Sequence, residues 1–337
     1  MFGKLQGFLR KKSIDLALFF NSDANITYFA GVKPDSACLA IPSSGKPRLF
    51  VPGFEALRMA KDSTIEVAQV GKDFLKIVRE NFPAGKIGVI PGAISYALAQ
   101  KVKSEWNAEL FSVENECLDL RLVKSGEEIS RITKACAVTD VLFDEICQHM
   151  NLFTTEREVS SFLNTRIGQL GFEPSFPAII ASGINGATPH HVPTDSKLKG
   201  FTVLDFGIIY KNYCSDITRT IFVGSPTATE RAVYNKLLNI QEKCIEKMKP
   251  GVSLEEIDDF AHQQVGPSMI HRLGHSLGIE VHDVQPRPWT LQAGNVVTAE
   301  PGTYTSFGIR IEDDILVTKK SPIVLTRAPK NLITFRR

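Results

Sequence analysis

Asp205, Asp216, His275, Glu300 and Glu312 are the residues of this chain whose types and spacing could do chemistry. Each lies in a short distinctive string: LDFG, SDITRT, HRLGHSLGIEVHD, AEPGTY and GIRIEDD. Four carboxylates and one imidazole make an oxygen-rich donor set without thiolates, which suits hard or borderline divalent cations. Four carboxylates are too many for one catalytic zinc. They suit two adjacent cations that share bridging oxygens.

Two hairpins must position the carboxylates. Residues 202–210 read as a strand, Lys211-Asn212 as a tight turn and residues 213–223 as the returning strand. A two-residue turn sets Tyr210 opposite Tyr213, and so Asp205 opposite Thr218 and Asp216 opposite Gly207. The two aspartates then share a face as diagonal neighbours, roughly 7–8 Å apart at Cβ. That gap accepts cations about 3.5–4 Å from each other. The second pair follows the same plan: residues 296–300 read as a strand closed by Glu300, and residues 309–317 as a strand carrying Glu312. An even offset keeps both glutamates on one face, although the loop between them is irregular.

The chain has 337 residues and a net charge of +2. Its length predicts two domains, and its near-neutral balance points to neither nucleic acid nor acidic lipid. No run approaches the roughly 20 apolar residues of a membrane span. Phe2–Leu9 followed by Arg10-Lys11-Lys12 has the inverted order for a signal peptide. Six widely spaced cysteines without a CxxC pair read as buried thiols in a reducing compartment, hence the cytoplasm.

Residues 1–120 alternate strand and helix signals and read as a small α/β domain. They contain no GxGxxG after a strand and no GxxxxGK[ST], so nucleotide binding has no support. Residues 121–337 read as a second domain. Ser125-x-x-Glu128, Thr155-x-x-Glu158, Thr227-x-x-Glu230 and Ser253-x-x-Glu256 are capping boxes ahead of apolar stripes. Two helices and then a sheet segment, twice over, predict pseudo-symmetric halves that each supply one carboxylate pair.

Carrying these strings, the chain resembles the creatinase/aminopeptidase P/prolidase family of metallopeptidases over essentially its whole length. The resemblance implies an α+β architecture. A "pita-bread" catalytic domain, with helices outside a curved, mostly antiparallel sheet, follows a small N-terminal α/β domain. It implies two divalent metal ions, most simply Mn2+, with Co2+ and Zn2+ as alternatives. Asp216 would chelate one ion with help from Asp205, His275 and Glu300 would complete the shell of the other, and Glu312 would bridge. His190, in SGINGATPHHVPTD, matches a catalytic histidine, with His191 as the alternative within the pair. His282 matches a second catalytic histidine and His271 a less central one. The absence of an HExxH glutamate, together with Gly274 and Gly278, argues against a helical zinc pair at His271 and His275.

The implied reaction is attack by an activated water on the carbonyl that precedes proline. His190 and His282 would donate hydrogen bonds to the developing oxyanion, and Glu300 would carry a proton to the leaving nitrogen. Arg310 is an orienting partner for the carboxylates and, with His271 and Arg287, a candidate substrate contact. The substrate is a proline-containing peptide, and family members are often homodimers. GHSLGIEVHDV leans toward aminopeptidase P. The short connection from Glu300 to Glu312 leans toward prolidase, and Arg287 is shifted by one from the prolidase spacing. The expected activity is Xaa-Pro aminopeptidase, with Xaa-Pro dipeptidase as the alternative. Methionine aminopeptidase and a non-catalytic peptide-binding member rank below both, because the first domain and all five ligands are present.

Overall fold

Leu16-Ala17-Leu18-Phe19-Phe20 contains no polar side chain, so as a strand it must be covered on both faces. A computed structural model, which describes residues 2–21, 23–284 and 288–336, puts this segment at the heart of a six-stranded sheet. The chain divides into two units, Met1–Arg121 and Leu122–Arg337. In the first, β1 (Leu16–Phe20), β2 (Cys38–Pro42), β3 (Arg48–Pro52), β4 (Glu66–Val70), β5 (Lys86–Val89) and β6 (Glu109–Ser112) are ordered β4-β3-β2-β1-β5-β6. β1 pairs antiparallel with β2 and parallel with β5. Leu16, Leu18 and Phe20 alternate onto one face, where they meet Phe50, Ile87 and Trp106. Each such large side chain contributes roughly 1.5–3 kcal/mol on burial. The N-terminal segment read above only as a poor signal peptide is a helix, Phe2–Lys11, burying Leu5 and Leu9.

Local caps start the helices of the second unit. Ser125, Thr155 and Thr227 each accept from the N3 backbone while Glu128, Glu158 and Glu230 close reciprocal boxes. Ser253 also caps its helix, but through the Glu255 N–H and without the reciprocal bond. Helices Gly126–His149 and Glu156–Gln169 lay Leu142, Phe143, Ile146 and Leu163 on Leu204, Phe206 and Ile221 of the sheet. Helix Ala228–Lys247 brings Tyr234 and Leu237 to Phe201, Phe222, Ile309 and Ile311. Among the described residues no helix is long and apolar enough to cross a membrane.

The strands of this unit are β7 (Glu173–Pro174), β8 (Ile179–Ser182), β9 (Gly200–Phe206), β10 (Ile208–Tyr210), β11 (Tyr213–Cys214), β12 (Ile217–Val223), β13 (Val296–Ala299), β14 (Gly302–Tyr304), β15 (Gly308–Arg310) and β16 (Asp313–Leu316). In the first hairpin Tyr210 faces Tyr213 and Asp205 faces Thr218, the register expected above. In the second, Ala299 faces Asp313 and Gly302 faces Arg310. Continuing that register sets Glu300 against Glu312.

Three strands expected to be continuous are broken. Residues 202–210 part at Gly207, residues 213–223 at Ser215-Asp216, and residues 309–317 at Ile311-Glu312. Glu300 itself lies just beyond β13. The physical reason is an exchange of hydrogen bonds. At the breaks the backbone leaves its own ladder for other partners: Asp216 N–H donates to Asp314 Oδ2 (3.0 Å), Ile208 N–H to Ser215 Oγ (3.1 Å) and Glu312 N–H to Thr218 O (3.0 Å). Gly207 permits the first break, since a Cβ there would lie 1.9 Å from Ser215 O.

Candidate metal centre

The two hairpins deliver their carboxylates to one cavity of about 540 Å³, lined by all five residues of the expected ligand set. Asp216, His275 and Glu312 are buried, and a ligand atom of each lies within 4.8 Å of the others. His275 lies in a stretch, residues 273–277, held alongside β13, with Thr298 N–H donating to its carbonyl (2.8 Å) and its own N–H donating to Thr298 Oγ1 (3.0 Å). Its Nδ1–H donates to Ser276 O (3.2 Å), which leaves Nε2 as the nitrogen turned toward the carboxylates. That nitrogen points at Asp216 Oδ2 (3.5 Å) and Glu300 Oε1 (3.4 Å).

The donor chemistry fits divalent cations. Asp205 Oδ1, Asp216 Oδ1 and Glu312 Oε1 are buried oxygens without a hydrogen-bond partner among the described residues. Each unmet buried acceptor costs about 1–3 kcal/mol, and more when charged. Burial, and then the charges of Asp205, Asp314 and Glu300, push the Asp216 carboxyl well up. Burial, followed by Asp216, Glu300 and Asp205, does the same to Glu312. Several carboxylates that cannot all ionise together are a site built around positive charge. Asp205, Asp216, His275, Glu300 and Glu312 offer that charge oxygens and one imidazole nitrogen.

A chain of side chains supports the cluster. Arg310 is 4 % exposed. Its guanidinium pairs with Asp205 and donates to Thr218 Oγ1 (3.1 Å) and the Tyr304 hydroxyl (2.8 Å). Thr218 in turn donates to Glu312 Oε2 (2.7 Å). His271 Nδ1–H donates to Arg272 O (2.8 Å), so its Nε2 accepts from the Tyr304 hydroxyl (2.7 Å). Burial, together with the Arg310 charge, lowers His271 to about 4 and keeps it neutral. Arg310 therefore lines the cavity with its hydrogen bonds already committed to the protein, and His271 anchors Tyr304.

Two further expected residues line the same cavity. His190 and His282 are exposed and line it. The His282 ring centroid lies 4.1 Å from that of His275, and burial followed by His275 and His190 lowers its pKa to about 4. His191 lies beside them but binds a different partner, the buried carboxylate of Glu156 (Nε2 to Oε2, 2.8 Å). His271 and His275 are not helical, as Gly274 and Gly278 suggest. Arg287 lies outside the described residues.

Sequence reasoning missed Thr218, Tyr304, Asp314 and the buried pair Lys124–Asp283 (3.4 Å), which holds the residue after His282. Thr218 was legible in principle, since it shares the face of Asp216 two positions away. Asp314 was not: burial lifts it to about 7, and it accepts from Asp216 N–H and Cys136 Sγ, which its position in GIRIEDD does not reveal.

Comparison with known proteins identifies the family and the fold. The model of metallopeptidase family M24 matches residues 130–319, and that of the creatinase/prolidase N-terminal domain matches residues 2–123. An Xaa-Pro dipeptidase of Pyrococcus furiosus is 33% identical over 98% of this chain and 98% of its own. Among solved structures, an Xaa-Pro dipeptidase from Bacillus anthracis superposes with a TM-score of 0.90 at 29% identity, covering 98% of each chain. An X-Pro aminopeptidase from Thermotoga maritima superposes at 0.88 with 28% identity, over 96% of this chain and 98% of that one. The expected α+β pita-bread architecture behind a small N-terminal α/β domain therefore holds, and membership of the family implies divalent metal ions. With its carboxylate hairpins, its N-terminal domain and a third of its residues shared end to end with an established relative, this chain belongs to metallopeptidase family M24, the creatinase/aminopeptidase P/prolidase group.

Proposed function

We propose that the chain is a metal-dependent Xaa-Pro dipeptidase. The sequence motifs leaned toward Xaa-Pro aminopeptidase. Relatives named Xaa-Pro dipeptidase, at 33% identity over 98% of this chain, support the alternative better. The observation that carries the catalytic reading is that Asp205, Asp216 and Glu312, each with a buried carboxylate oxygen that has no partner among the described residues, line one cavity with His275. Asp205, Asp216, His275, Glu300 and Glu312 would hold two divalent cations, and the oxygen-rich set favours manganese over cobalt or zinc. When bound, such cations supply Lewis acidity and lower the pKa of an attacking water.

The side chains do the rest. His282, neutral because its pKa is lowered to about 4, donates an N–H to the substrate oxygen without carrying a charge of its own. His190, which lines the same cavity, is the second donor, while His191 is committed to Glu156. Burial raises the Glu300 carboxyl, against the opposing charges of His275 and Arg310, which makes it basic enough to pass a proton to the proline nitrogen. Arg310 orients Asp205 instead of gripping substrate. Phe176, Pro177, Ile179 and Val192 give the cavity an apolar wall suited to a pyrrolidine ring. We assign the protein to the cytoplasm, in keeping with its six cysteines, none of which forms a disulfide.

The test is a manganese-supplemented assay of Xaa-Pro dipeptides, Xaa-Pro-Xaa tripeptides and Met-led peptides side by side. Cleavage of the dipeptides alone is expected. Faster cleavage of the tripeptides would return the assignment to aminopeptidase, and hydrolysis of Met-led peptides without proline would overturn both.

A further inference from the structure

We propose that Glu156, a residue with no part in the chemistry above, is the positioning residue for His190. The inference rests on the role given to His190 and goes beyond it by naming what holds that histidine in place. Glu156 opens helix Glu156–Gln169. An acid in a first turn is ordinarily accounted for by the helix dipole, and Glu158 fits that description by closing the capping box. Glu156 does not, because its side chain is completely buried.

It is turned under residues 182–194, the segment that carries His190. Oε1 accepts from Ser182 N–H (2.8 Å) and Asn185 Nδ2 (2.9 Å). Oε2 accepts from His191 Nε2 (2.8 Å), Thr194 N–H (3.0 Å) and Thr194 Oγ1 (2.8 Å). One carboxylate thus gathers donors from both ends of the segment and from the residue next to His190. Hydrogen bonds to an ionised acceptor are about twice as strong as neutral ones. Burial pushes this carboxyl up, and the donors more than reverse that and hold it below the usual range.

The segment needs such a clamp. After the short 3-10 turn Gly183–Ala187 it forms no strand or helix until β9. From the other side it rests on the second hairpin. A Cβ at Gly308 would lie 1.8 Å from Gly186 O, so the two backbones touch. The His190 ring has no hydrogen bond of its own among the described residues, so its aim depends on where this backbone is held. Glu156 does not line the cavity, and it acts only through the segment.

The test is a double-mutant cycle between Glu156→Gln and His190→Ala in the metal-loaded enzyme, with Thr194→Val as a milder second probe. Glu156→Gln keeps the shape but brings an NH2 group among the donors. It should cut kcat by roughly 10²-fold, the size of an ångström-scale misplacement, with KM and bound metal near those of the unaltered protein. It should also speed amide exchange across residues 182–194. On the His190→Ala background the further loss should vanish, since two residues acting as one unit are not additive. Thr194→Val should show a smaller loss that vanishes in the same way, and it carries the test if Glu156→Gln does not fold. Unchanged kcat in Glu156→Gln, or a loss that multiplies with His190→Ala, overturns the proposal. Full turnover in His190→Ala alone is a different failure: it removes His190 from the reaction and the clamp's purpose with it.

Discussion

The two carboxylate hairpins are built alike and solve the same problem differently. Each is interrupted halfway, and each puts its acids at or beside the interruption. In the first, Asp205 keeps a regular ladder position opposite Thr218 while Asp216 sits at the break. In the second, both Glu300 and Glu312 lie in the gap between paired segments. The first turns through Lys211-Asn212, both with positive φ (47° and 69°), which a two-residue hairpin demands. The second turns through residues 305–307. Neither hairpin completes a site alone. Arg310 of the second neutralises Asp205 of the first, and Thr218 of the first holds Glu312 of the second. The centre is therefore a property of the seam between the halves.

The largest expected effect tests that statement. Asp216→Ala and Glu312→Ala each remove one acid, from opposite hairpins, and both should abolish hydrolysis and metal uptake while the protein still folds. Metal analysis with an activity assay on each purified variant decides this. Retained turnover in one of them would make one hairpin dispensable. Next comes the seam itself. Arg219 on β12 donates to the backbone carbonyl of Glu312 and pairs with Asp313 Oδ1 (2.7 Å), both groups buried. Asp313→Asn should cost about 3–5 kcal/mol in denaturant unfolding, as when one partner of a buried pair is removed.

The same substitution has a pH signature. Burial raises the Asp313 carboxyl, but Arg219, Lys330 and Gln241 more than reverse this and leave it depressed. A depressed acid stabilises fully above its unfolded value near pH 4, and that stability is lost as pH falls through the folded value. Asp313→Asn should therefore flatten the acid limb of the stability profile. An unaltered slope below about pH 4 would show that the pair does not carry it.

Smaller effects lie outside the seam. His282→Ala should retain metal and fold but cut turnover by roughly 10²–10³, the size of one lost oxyanion donor. An unchanged kcat would take His282 out of the reaction. Lys211→Gly relieves a non-glycine residue in the left-handed region and should stabilise the first hairpin by about 1 kcal/mol without altering turnover. Thermal or denaturant midpoints would register it, and a decrease would mean that the turn geometry is not the source of the register.

Much of this molecule was legible before any coordinates. Ser125, Thr155 and Thr227 signalled their helices because a cap and its box span only four residues. The facing of Asp205 and Thr218 followed from a two-residue turn and a period of two. Other features had no local signal. The buried role of Glu156 looks, in sequence, like any first-turn acid, and the strand breaks lie inside segments that read as continuous strands.

The kinds of donor, their order along the chain and the register of the first hairpin were written in the amino-acid string, because each depends on neighbours a few positions apart. Where the ladders break, which oxygens stay without partners and which acid steadies His190 were settled only on folding. Those outcomes turn on bonds between residues far apart in the chain, such as Asp216 N–H to Asp314, 98 positions away. A backbone group abandons its own strand only when packing brings it a better acceptor, and no short-range pattern encodes that meeting.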